Sequence, residues 1–228
     1  PLSLPEALRF LQAGTLPTNA VCVTFDDGYK NNLEVALPIL KQFAIPATVF
    51  VATAFSQGQN MWNDRVLQLF ADKSITTLDL SIADLGVCEL GDWPERKQLA
   101  NTLLKKLKYL PIEERLEKIA GLYRANGGVE APSLMMTPDE VKQLSDAGVL
   151  IGAHTANHPI LKILPVAQQK QEIQQSKSLL EQWTGKPVTS FAYPNGQVGV
   201  DLDEQTVEIV KEQGFDCAVV TDWGTSTH

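Results

Sequence analysis

Histidine is scarce in this chain, with three in 228 residues, so any histidine cluster stands out. Cysteine is equally scarce: Cys22, Cys88 and Cys217 are an odd number lying far apart, which argues against a disulfide scaffold and against the close thiolate pairs of a structural zinc site. Cys22 and Cys217 sit in apolar runs, where a free thiol behaves as a small core hydrophobe. That usage leans towards a reducing compartment. No apolar run reaches the length of a membrane helix. The chain opens without Met and without a basic, apolar, small-residue leader, which leaves the compartment open between cytoplasm and cell envelope. Nor do Lys and Arg gather on a face: 19 basic against 27 acidic residues give a formal charge of −8, which disfavours nucleic acid and anionic membrane surfaces as partners.

What is present is enough for one large core, since 44% of the residues are hydrophobic. The pattern predicts one domain over residues 1–228 with an insertion. Its organising stretch is Val21-Cys22-Val23-Thr24-Phe25-Asp26-Asp27-Gly28-Tyr29, a β-branched run that stops on two carboxylates and a glycine. The run has the composition of a buried strand. Adjacent carboxylates at a strand end repel unless a cation or a proton separates their roles, so one is expected to bind metal while the other titrates. The alternative is a solvated turn, because Asp and Gly are common turn formers.

Around this stretch the first fifty residues read helix, strand, helix, strand. Leu4, Ala7, Leu8 and Leu11 share one helical face after a capped start at Ser3. Leu33, Leu37, Leu40 and Phe43 share another, with Pro38 expected to bend or restart that helix. Ala47 to Ala52 is a second buried strand. This is the rhythm of a parallel α/β fold.

Residues 54–136 break the rhythm and read as a mainly helical insertion, with Leu99, Leu103, Leu107 and Leu110 as its inward stripe. It is expected to shape substrate access, and Trp62 could stack on a sugar or anchor the insertion. The βα rhythm then returns through a capped helix from Thr137, a strand ending on His154, a helix from Pro165 to Thr184 with Ile173, Leu179, Leu180 and Trp183 inward, a strand ending at Ala192, a helix from Asp203 and a last strand at Phe215 to Thr221.

Three strand ends therefore carry polar groups: Asp26 and Asp27, His154 and His158, and the Tyr193-Pro194-Asn195-Gly196 turn. In parallel α/β folds such groups converge at the carboxyl edge of the sheet. His154 and His158 are four apart, which on one local helical turn points both imidazoles the same way before Pro159 ends it. Two imidazoles and one carboxylate are a common zinc ligand set with a position left for water.

Thr24-Phe25-Asp26-Asp27-Gly28 and His154-Thr155-x-x-His158 resemble the first two motifs of the polysaccharide deacetylase (NodB-homology) family, carbohydrate esterase family 4. Phe191-Ala192-Tyr193-Pro194-Asn195-Gly196 stands where its third motif belongs, in a form similar to that of a branch associated with bacterial exopolysaccharide loci. The resemblance implies a distorted, incomplete (β/α) barrel and a divalent metal, most often zinc, held by Asp27, His154 and His158. It also implies Asp26 as general base, a backbone N–H of the Tyr193 to Asn195 turn as oxyanion donor, and an acetylated glycan as substrate, deacetylated by metal-activated water.

The chain departs from the family pattern twice. Ala192 stands where an arginine usually orients the catalytic Asp, which also removes a partner from Asp222. The leucine-x-histidine motif that usually supplies a general acid is absent, with Ser226-Thr227-His228 in its place, so the domain's C-terminal end is expected to be missing. Two alternatives stay open: an amidase for small non-peptide C–N substrates on the same scaffold, and a carbohydrate-binding pseudoenzyme.

Overall fold

A computed structural model describes residues 1–225, so the reading of Ser226 to His228 lies outside the described residues. The chain divides into two compact units: Pro1–Gln59 with the chain from Leu134 onward, and Asn60–Ser133.

In the first unit α1 (Leu4–Gln12) starts on a reciprocal Ser3/Glu6 capping box and leads into β1 (Val23–Phe25). A π-helical turn, Asn32–Ala36, precedes α2 (Leu37–Gln42), which carries Pro38 in its first turn, and β2 (Ala47–Val51) follows. The wide turn shifts the helical register, so Leu40 is buried, Leu33 and Leu37 are half-buried, and Phe43, placed inward by the periodicity, is 63% exposed at the helix cap.

The second unit contains α3 (Trp62–Ala71), an antiparallel pair β3 (Thr77–Asp79) and β4 (Val87–Glu89), α4 (Trp93–Lys108) and α5 (Ile112–Asn126). Helical periodicity alone did not foresee the strand pair. The buried stripe of α4 is Arg96, Ala100, Leu103 and Leu107, while Leu99 and Leu110 are half-buried. Arg96 faces inward because its guanidinium donates to the carbonyls of Gly91, Phe70, Asp72 and Ile75, which offsets its desolvation.

Back in the first unit come α6 (Pro138–Asp146), β5 (Leu150–Ala153), α7 (Val166–Thr184), β6 (Ser190–Ala192), α8 (Glu204–Glu212) and β7 (Cys217–Val219). The five long-range strands form one parallel sheet in the order β1-β2-β5-β6-β7, curled as a half-barrel. β2 and β5 are central, and all five residues of β2 are buried, as expected of a parallel strand covered on both faces. Because every strand runs the same way, the ends of β1, β5, β6 and β7 lie on one edge. Among the described residues no helix is long and apolar enough to cross a membrane.

Candidate active site

The carboxyl edge of the sheet gathers Asp26 and Asp27 after β1, His154 after β5, Tyr193 to Gly196 after β6 and Thr221 after β7. Asp27 lies in a turn with φ +72°, its carbonyl accepting from Ala52 N–H at 3.2 Å. Gly28 follows at φ +88°, where a Cβ would come within 2.9 Å of the Val51 side chain. A short antiparallel bridge, Lys30 N–H to Leu134 O at 2.7 Å and Met136 N–H to Gly28 O at 3.0 Å, holds the far side of this turn. The Asp27 carboxylate is thereby aimed from a braced backbone.

Asp27 Oδ1 lies 3.6 Å from His154 Nε2 and 3.4 Å from His158 Nε2, and the two imidazoles meet edge to face with centroids 4.8 Å apart. His154 is buried, and its Nδ1 lies 2.7 Å from the carbonyl oxygen of Ala192. A carbonyl only accepts, so Nδ1 carries a proton, and in the neutral ring the lone pair is then on Nε2, towards Asp27. This is the usual arrangement of a metal-binding histidine. Four-coordinate zinc with bonds near 2.1 Å needs donors about 3.4 Å apart, which matches both Asp27 separations. The three donor atoms all lie within 4.8 Å of one another, so the residues fit a divalent cation.

The two histidines do not converge through a helical turn, as their spacing suggested. The segment is an irregular bend in which Thr155 (φ +64°) and His158 (φ +50°) are left-handed. Such conformations cost of order 1–3 kcal/mol each and persist only where the surroundings over-determine them. The bracing is visible. Thr155 Oγ1 accepts from His158 N–H at 3.0 Å, Thr53 and Ala54 N–H groups donate to Thr155 and Ala156 carbonyls, and the buried Glu172 carboxylate accepts from Ala156 and Asn157. Glu172 was not singled out by the sequence, because an acidic residue in a glutamine-rich helix reads as solvated surface.

Asp26 is exposed beside this group. In the turn after β6, Tyr193 donates its N–H to Val219 O at 3.2 Å and Pro194 has none, whereas Asn195 N–H has no partner among the described residues. The Tyr193 side chain is buried against Phe191, and burial pushes its hydroxyl up to about 12, so it stays neutral at ordinary pH. Thr221 ties the last strand to this turn through Asn195 O and Gly196 O. Asp222, which lacks the family's arginine, accepts from Val198 N–H at 3.3 Å. Trp223 next to it is fully exposed.

Trp62 is placed differently from the sugar-stacking expectation. It is 6% exposed in the second unit, with the Arg115 guanidinium 4.7 Å from its ring centroid, so its faces are taken up by packing.

The family model for polysaccharide deacetylase matches residues 13–218. The chain belongs to the polysaccharide deacetylase family. This deacetylase-family chain is similar to YxkH of Bacillus subtilis (strain 168), which bears a polysaccharide deacetylase name: 21% identity over 99% of the chain and 53% of YxkH. It thus spans about half the length of that relative. Over 62 residues, 27% of the chain and 21% of the relative, it is 39% identical to a Staphylococcus aureus poly-β-1,6-N-acetyl-D-glucosamine N-deacetylase. Among solved structures it resembles the Streptococcus pyogenes deacetylase PplD in complex with acetate (TM-score 0.60, 20% identity, 99% of this chain and 67% of that one). It also resembles the BpsB deacetylase domain of Bordetella bronchiseptica (TM-score 0.59, 18% identity, 98% and 72%). These likenesses agree in fold with the half-barrel that the motifs implied.

Proposed function

We propose that this chain is a metal-dependent hydrolase that removes acetyl groups from N-acetylated sugars of a polysaccharide. The observation that carries this reading is the Asp27, His154 and His158 cluster, with His154 locked by Ala192 O into the tautomer that turns Nε2 towards a cation. Asp27, His154 and His158 would hold that cation, assigned as zinc from the donor set and spacing. When bound, it supplies Lewis acidity, making water a better nucleophile and polarising the acetyl carbonyl.

The chain's own groups do the rest. Asp26, exposed beside the ligands, takes the proton of the attacking water as general base. The oxyanion that develops on the acetyl carbonyl needs a donor, and Asn195 N–H is the one left uncommitted in the turn after β6. Attack on the carbonyl carbon breaks the C–N bond and leaves acetate and a sugar amine, with the proton held by Asp26 available to the departing nitrogen. Tyr193 shapes this turn through its buried ring. Trp223 offers an exposed indole on the same edge, suited to the apolar face of a pyranose.

The test is acetate release from β-1,6- and β-1,4-linked N-acetylglucosamine oligomers, peptidoglycan fragments and small ureides. Activity on a glycan that is lost with a chelator and regained with zinc is expected. Turnover of ureides alone would assign the site to small amides, and glycan binding without acetate release would make the chain a carbohydrate-binding pseudoenzyme.

A further inference from the structure

Glu172 lies midway along α7 and is 6% exposed, and no lysine, arginine or histidine pairs with it among the described residues. A buried carboxylate is costly unless its oxygens are satisfied, and here they are. Oε2 accepts from the main-chain N–H groups of Ala156 at 3.0 Å and Asn157 at 2.8 Å, and Oε1 accepts from Asn157 Nδ2 at 2.7 Å. Both main-chain donors lie in the bend between His154 and His158. That bend carries left-handed Thr155 and His158, so it needs external bonds to hold one conformation.

We propose that Glu172 is a positioning residue that presets His158 for the metal. It does so by clamping Ala156 and Asn157, two of the three residues that link the histidine ligands, while Thr155 Oγ1 accepts from His158 N–H. The inference rests on the metal-site reading above. Its content is geometric: what matters is the reach of two acceptor atoms, rather than charge. Outer-shell partners of this kind typically change metal affinity by about 10–100-fold.

The experiment compares zinc affinity of the full chain, by competition with a chromogenic chelator, in wild type, Glu172→Gln and Glu172→Asp. Gln keeps the length and one acceptor oxygen for the two N–H groups. Asp keeps the charge but is withdrawn by one methylene. Zinc affinity is expected to fall at least tenfold in E172D, together with faster amide exchange at Ala156 and Asn157, and to stay within about threefold of wild type in E172Q. The neighbouring core variant Ile173→Val should lower Tm and leave zinc affinity unchanged. Wild-type affinity in E172D, tighter binding by E172D than by E172Q, or weakening of I173V in proportion to its lost stability would overturn the proposal. A wild-type chain that binds no zinc would instead overturn the metal-site reading itself.

Discussion

His154 gives its Nδ1 proton to the carbonyl oxygen of Ala192 across 2.7 Å, so the main chain of β6 decides which nitrogen of a β5 histidine faces Asp27. At the position where the family usually carries an arginine side chain, this chain contributes a carbonyl, and no substitution of Ala192 removes that group.

Metal binding is the first consequence. The chain should bind about one zinc ion, and alanine at His154 or His158 should abolish stoichiometric binding, as read by elemental analysis after gel filtration. Undiminished occupancy in the double variant would rule out these ligands.

Asp26→Asn should leave zinc content nearly unchanged and lower kcat by about 10²–10⁴-fold, since the amide keeps the shape and cannot take the proton. A loss well below that range on a confirmed glycan would mean that another group is the base.

The two tryptophans should separate. Trp62→Ala opens a cavity beneath Arg115 and is expected to cost about 3–5 kcal/mol, seen in urea denaturation, with KM unchanged in whatever protein remains folded. Trp223→Ala should leave Tm unaltered and raise KM for oligomeric glycan more than it lowers kcat. Equal KM for Trp223→Ala and wild type would remove it from substrate contact.

Acid should loosen the brace behind the Asp27 turn. Glu140 caps α6 through Thr137 N–H at 2.7 Å and pairs with Lys30 at 3.3 Å, three residues beyond Asp27. Partial burial of Glu140 works against its ionisation, but hydrogen bonds from Thr137 and Lys30 outweigh it and hold the carboxyl below the ordinary glutamate value. A carboxyl depressed on folding stabilises above its unfolded value and loses that contribution as pH falls through its folded value. Wild type should therefore exceed Glu140→Gln in stability at pH 7, with the gap closing as pH falls below the ordinary glutamate range in paired denaturation curves. A gap independent of pH would show that the carboxylate charge is not the source.

The order of helices and strands in the first unit was legible because each depends on neighbours in sequence, whereas the β3–β4 pair of the second unit was not. Alternating β-branched residues made β1 and β2, capping boxes marked α1 and α6, and the motifs carrying Asp27, His154 and His158 pointed to three residues that the fold brings within 4.8 Å of one another. The rest needed the fold, because it depends on groups that meet only through the sheet. A π turn, invisible to a 3.6-residue period, rotated Phe43 into solvent. Tyr193 N–H is taken by the Val219 carbonyl on the neighbouring strand, whereas Asn195 N–H has no partner among the described residues, a difference the turn's sequence does not carry. Glu172 and Arg96 read as surface charges, and both are buried because donors and acceptors distant in sequence satisfy them; a pattern of polar and apolar letters records the charge and never its partners.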